Sequence, residues 1–161
     1  MFDSTHPVIE FDVFGRAVPK GSQKHVPHAK HGRPVYVPDP RLEEWEARVL
    51  TMATVAAQKA KGSGAKSWPT KCPVQVGIEF VFERPKKHHV ANDPARPLKS
   101  GSPYYCHNLA QGDLDKLIRG VLDGMTGPIV ADDSCVSVVF AQKRFGKRDA
   151  VRIKVSILEV I

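Results

Sequence analysis

The clearest periodic signal in the chain lies at 74–83, where Val74, Val76, Ile78, Phe80 and Phe82 alternate with Gln75, Gly77, Glu79, Val81 and Glu83. That is the period-two pattern of a strand. A similar run opens the chain: Ile9, Phe11 and Val13 alternate with Glu10 and Asp12 between Val8 and Phe14, and Gly15 closes it. Two more alternating runs end the chain, Cys135 to Lys143 and Ala150 to Val160, joined by a basic turn at Gly146-Lys147-Arg148. Between the strands the period becomes helical. Leu42, Trp45, Val49, Met52 and Ala56 form one apolar face. Their helix should start at Asp39-Pro40, with Asp39 as cap and Pro40 in the first turn, and stop at Gly62. Leu114, Leu117, Ile118, Val121, Leu122 and Met125 form the face of a second helix, ended by Gly127-Pro128. The order strand, helix, strand, helix, strand, strand predicts an α+β fold, a small mixed sheet of about four strands with two main helices packed on one face.

Two long stretches carry no period. Residues 16–38 hold Arg16, Lys20, Lys24, Lys30 and Arg33 with no acid, and a short extended piece is expected at Val35-Tyr36-Val37. Residues 84–112 hold Lys86, Lys87, His88, His89, Arg96 and Lys99, followed by Tyr104 and Tyr105. Loops this long inside a compact domain are usually functional or disordered. At 161 residues the chain fits one domain, 1–161. A composition 42% hydrophobic and 25% charged describes a soluble globular protein. No apolar run reaches a membrane span, and Met1–Glu10 lacks the basic-then-apolar pattern of a signal peptide. Three distant cysteines fit a reducing cytoplasm better than a disulfide framework. The surplus of 24 Lys and Arg over 17 Asp and Glu, a formal +7, favours a polyanionic partner.

The acids are unevenly spread, for five of them lie between Asp113 and Asp133. Asp113 and Asp115 flank Leu114 where the second helix should begin, and Asp132 and Asp133 follow its end. Should Asp113, Asp115 and one of the later pair converge, three carboxylates share a site. Two carboxylates about 5 Å apart repel by about 3 kcal/mol at an effective dielectric near 20. Such a cluster takes up protons or holds a hard cation, Mg²⁺ or Mn²⁺. The plainer alternative makes Asp113 a helix cap, Asp132-Asp133-Ser134 a turn, Asp123 a solvated residue and Arg119 a partner of Asp115 one turn back. The basic loops suit phosphate, with Tyr104, Tyr105 and His107 available to stack on a base. His25, His28 and His31 lack the companions of a zinc site. No covalent-nucleophile, P-loop or dinucleotide motif occurs.

The stretch GDLDKLIRGVLDGMTGPIVADDSCV (112–136) resembles the signature of the RusA family of Holliday junction resolvases. There an Asp-x-Asp pair opens a helix, a basic residue follows a turn later, and an Asp-Asp pair follows the helix. The first strand with Gly15-x-x-x-Pro19-Lys20-Gly21, the helix near Trp45 and the closing strands with Lys143 also follow the family plan. The resemblance implies a RusA-like domain acting as a metal-dependent endodeoxyribonuclease on branched DNA, the four-way junction. It implies Mg²⁺ (Mn²⁺ as substitute) held by Asp113, Asp115 and Asp133, and a homodimer with two matched sites. The family's helix lysine falls at Arg119, which keeps the positive charge but cannot give up a proton. Lys116 lies off that face. Lys20, Lys24, Arg33, Lys86, Lys87 and Lys143 are the candidate DNA contacts. A cytoplasmic, nucleoid-associated enzyme of bacterial or phage origin is expected. Two other readings remain: a non-catalytic DNA- or RNA-binding module with structural acids, and a flap or branched-DNA nuclease of another class.

Overall fold

The computed structural model describes residues 7–21, 40–62 and 68–158. The expected Asp39 cap, the extended piece at 35–37, Lys24, Arg33 and the histidines at 25, 28 and 31 lie outside them. The secondary structure follows the periodicity closely: β1 (Val8–Phe14), α1 (Pro40–Gly62), β2 (Val74–Glu83), α2 (Leu114–Met125), β3 (Val136–Gly146) and β4 (Ala150–Ile157). Strand β1 buries Ile9, Phe11 and Val13 and turns Glu10 and Asp12 outward. The buried stripe of α1 runs Leu42, Trp45, Val49, Ala53, Ala57. Met52 and Ala56, expected on that face, are only half-buried. Successive four-residue steps favour the small Ala53 and Ala57 toward the sheet.

The sheet order is β1-β4-β2-β3, with β4 antiparallel to both neighbours and β2 parallel to β3. The two closing strands, adjacent in sequence, are therefore not partners; β2 lies between them. The turn at 147–149 crosses the end of β2, and the crossing is tied down by hydrogen bonds. Glu83 N–H donates to Asp149 Oδ1 at 2.8 Å, Arg84 N–H to the Gly146 carbonyl at 2.9 Å, and Gly15 N–H to the Asp149 carbonyl at 3.1 Å. Its central position explains why β2 is buried on both faces, including Gln75 and Val81, despite its strict alternation.

Both helices cover one face of the sheet. Trp45, Phe80, Phe82, Phe145, Leu117 and Met125 are among the most deeply buried side chains of the core between the helices and the sheet. The helices approach closely because α2 presents glycines to α1. A Cβ on Gly124 would stand 2.6 Å from Val49 Cγ1, and one on Gly120 3.6 Å from Trp45 Nε1. The other sheet face carries a polar lattice. Glu79 accepts from Arg144 through both carboxylate oxygens (2.7 and 3.0 Å), from Arg152 (3.1 Å) and from Gln142 (2.9 Å), and Lys154 pairs with Glu10 at 2.6 Å. Phe140 stands exposed among them.

Residues 84–112 are more ordered than their lack of period suggests. Single 3₁₀ turns form at Lys86–His88, Val90–Asn92 and Leu109–Gln111. His89 and Leu98 pair across a small antiparallel bridge. Tyr104 and Cys106 then hydrogen-bond along the outer edge of β3, through Phe145 N–H to Tyr104 O at 2.9 Å and Cys106 N–H to Lys143 O at 3.1 Å. That covers a strand edge otherwise open to aggregation. Among the described residues no helix is long and apolar enough to cross a membrane.

Candidate active site

Asp113 occupies the N-cap position of α2 in extended conformation, yet its side chain makes no capping hydrogen bond. It pairs instead with Lys116 at 2.9 Å. That hydrogen bond, with the ammonium's charge and the more distant Lys143, holds the Asp113 carboxyl below the usual carboxylate range. Asp115 follows in the first turn, exposed. The Asp115–Arg119 pair of the plainer alternative is not formed among the described residues, and Arg119 is exposed. The Asp113 carboxylate is thus engaged by Lys116 rather than by the helix end, and Asp115 stands exposed beside it.

The second acidic pair opens the 3₁₀ turn Asp133–Cys135. Asp132 Oδ1 accepts from the Ser134 N–H at 3.0 Å, and hydrogen bonding to Ser134 lowers its pKa. Asp132 is thus the capping member of the pair, which leaves Asp133 as the carboxylate for other work. This pair sits beside the start of β2, because Thr70 N–H donates to Ile129 O at 3.0 Å and Ala131 N–H to Thr70 O at 2.9 Å.

The two acidic pairs lie at opposite ends of α2. The 12 residues of the helix span about 18 Å at 1.5 Å per residue. Lys143, which touches the residue before Asp113, lies about 23 Å along β3 from Val136. Carboxylates sharing one Mg²⁺ bring oxygens to about 2.1 Å from it. Within one chain Asp113 and Asp115 therefore do not meet Asp133, and among the described residues no three His, Cys, Asp or Glu side chains form a metal-sized group. The helix and its return do not bring the flanks to one sheet edge, because α2 runs back along β3 rather than across its end.

Three cations fix the segment leading into Asp113, each by donating to a main-chain carbonyl. Arg84 Nη1 bonds Pro103 O at 2.8 Å, Arg16 Nη2 bonds Ala110 O at 2.8 Å, and Lys143 Nζ bonds Gly112 O at 2.6 Å. Arg16 and Arg84 were anonymous members of basic runs; only the fold reveals them as anchors. Lys143 lies half-buried on the helix side of β3 and holds the turn before the acids. Gly112 makes that turn with φ +76°, and a Cβ there would stand 2.8 Å from Pro19 Cγ.

The remaining candidate contacts divide. Lys20 bridges Asp123 of α2 and Glu46 of α1 (3.3 Å to the latter), and hydrogen bonding to Asp123 raises its pKa. Its ammonium is a strut between helices rather than an open phosphate contact, and Asp123 is not simply solvated. Lys86 and Lys87 are exposed on the 84–101 projection, as are Tyr104 and Tyr105, packed edge to face at 4.9 Å.

The chain matches the family model of endodeoxyribonuclease RusA over residues 16–157. No curated protein matches it. The match covers the first strand's connector, both helices and the whole acidic signature, so the chain belongs to the RusA endodeoxyribonuclease family.

Proposed function

We propose that the protein resolves four-way DNA junctions with a divalent cation, as a twofold homodimer whose sites are each shared between two chains. The observation that carries the dimer is the separation of the acids. One chain offers Asp113 and Asp115 at one end of α2 and Asp133 beyond the other. Antiparallel packing of α2 against its mate would set each helix start beside the mate's Asp133. The helix suits that contact. Leu114, Ile118 and Leu122 recur every four residues, are only partly covered, and flank the exposed Asp115 and Arg119. A twofold axis near Ile118 matches this stripe to itself.

The donors are hard oxygen ligands, which fit Mg²⁺ or Mn²⁺. Bound there, the cation would supply Lewis-acid stabilisation of the charge gathering on the phosphoryl oxygens. Arg119 would add a fixed positive charge to the same oxygens without exchanging a proton. Lys86 and Lys87 would position the duplex arms through their backbones, so binding weakens with salt.

The test is cleavage of a labelled junction with Mg²⁺, with EDTA leaving it bound but intact. Asp115→Asn and Asp133→Asn should each abolish cutting while retaining junction binding. Mixing the two variants should restore one intact site per heterodimer, seen as nicking without paired resolution. No cutting by the wild type with Mg²⁺ or Mn²⁺ removes the enzyme reading. Silence of the mixture, with both variants binding, removes the shared site.

A further inference from the structure

Exposed aromatic and cationic side chains from two separate segments gather at one end of the sheet. Arg84 Nη1 donates to Pro103 O at 2.8 Å, Ser102 Oγ donates to His88 O at 2.9 Å, and Tyr105 bridges Arg144 on the outer edge of β3. Lys86 and Lys87 therefore leave the sheet beside the residues that bring the chain back to Tyr104 and Tyr105. The turn after β3 joins them, because Arg84 N–H bonds the Gly146 carbonyl at 2.9 Å, just before Lys147 and Arg148. Among the described residues Lys86, Lys87, Lys147 and Arg148 are exposed and form no ion pair. Arg148 lies over the Phe14 ring, 4.3 Å from its centre. The acids within these segments are already engaged, Asp149 by Glu83 N–H and Arg16, and Asp93 by Arg96.

The two tyrosines are braced yet open. Arg144, fixed by Glu79, lies over the Tyr104 ring at 5.7 Å, and Tyr105 packs edge to face on Tyr104, while the two residues stay 53% and 57% exposed. Arg144 occupies Tyr104, so Tyr105 is the ring left for a ligand. Side chains held in place beforehand lose little further freedom on binding. An aromatic ring among open cations suits an unpaired nucleobase with its phosphates. We infer that this end of the sheet holds an unpaired nucleotide of the branched DNA, its base stacked on Tyr105 and the adjoining phosphates on Lys86, Lys87, Lys147 and Arg148. The inference rests on the reading of the protein as a nuclease of branched DNA. A branch point supplies such a base at least cost, because an already unpaired base needs no extrusion. Lys143 ties this surface to the acids: its carbonyl accepts from Cys106 N–H at 3.1 Å, and its ammonium holds Gly112 O at 2.6 Å. A strand gripped at Tyr105 would thus be registered against Asp113, which fixes the phosphate that reaches the acids.

The experiment places 5-iodouracil singly at each position around the branch point of a four-way junction, bound in EDTA so that no cutting occurs. Irradiation and peptide mass spectrometry should give an adduct at Tyr105 from one junction position. Tyr105→Leu should weaken junction binding about tenfold and leave linear duplex binding unchanged, while Tyr105→Trp should bind the junction as wild type does. Lys147→Ala combined with Arg148→Ala should lower the salt slope of junction binding by about two. No adduct at Tyr105, no loss or an equal loss on junction and duplex in Tyr105→Leu, or an unchanged salt slope overturns the inference. Tyr105-dependent binding that is tighter for unpaired RNA than for unpaired DNA of the same sequence overturns the DNA source. A change of sedimentation in DNA-free Tyr105→Leu would make the ring a contact between copies and overturn the surface. An adduct at Tyr105 without cleavage under Mg²⁺ or Mn²⁺ sinks the endonuclease reading alone, and normal cleavage with no adduct sinks this surface alone.

Discussion

Replacing Lys143 by Met tests how the acids are presented. The ammonium donates to Gly112 O at 2.6 Å from a half-buried site on β3, so it latches the turn one residue before Asp113. A hydrogen bond from a charged donor contributes about 1.5–3 kcal/mol, and relief of the ammonium's desolvation offsets part of that, leaving a loss of about 1–2 kcal/mol. In a domain of this size each kcal/mol lowers the melting temperature by about 2–4 °C, so a fall of about 2–8 °C is expected. Cleavage should fall further than folding does, since a misplacement of about 1 Å can cost about a hundredfold in rate. The charge leaves a second mark. Lys143 helps hold the Asp113 carboxyl below its ordinary range, so without it the acid limb of the cleavage profile should move to higher pH. Thermal melts and single-turnover junction cleavage from pH 4 to 8 read both effects. A variant that melts within a degree of wild type and cuts with an unshifted profile would refute the latch.

Gly112→Ala places a Cβ 2.8 Å from Pro19 at φ +76°; it should cost about 1–3 kcal/mol in a thermal melt and lower cleavage more than junction binding. Gly124→Ala drives a methyl to 2.6 Å from Val49 Cγ1, which should destabilise by about 1–3 kcal/mol, and adding Val49→Ala should recover part of the loss if the clash is the cause. For Glu79, hydrogen bonding to Arg144 lowers the pKa in the folded state. Its stabilisation is therefore complete above the unfolded carboxylate value and is lost as pH falls through the lower folded one. Glu79→Gln should cost about 1–2 kcal/mol at neutral pH by leaving Arg144 without its counter-charge, and denaturant melts should show a flatter acid dependence below about pH 4 than wild type.

Hydrophobic periodicity determined the elements here, because a strand or helix buries a face that its own residues spell out. The bounds of β1, β2 and α2, and the glycine stop of α1, were legible for that reason. So was the acidic signature, a local motif on one helix and its return. Pairing was not legible. Nothing in the alternation of β3 and β4 says that β2 separates them, since a buried face does not name its neighbour across the hydrogen-bonding direction. Charge was legible as a sum and not as individual roles. Lys20, Arg16, Arg84 and Lys143 are all cations in the sequence. Only the fold shows that Lys20 ties α1 to α2, while the other three hold carbonyls of the segment leading to Asp113. The separation of Asp113 and Asp115 from Asp133 is likewise tertiary. Spacing along the chain counts residues, whereas the direction in which α2 runs along β3 decides whether two carboxylates lie within reach of one ion.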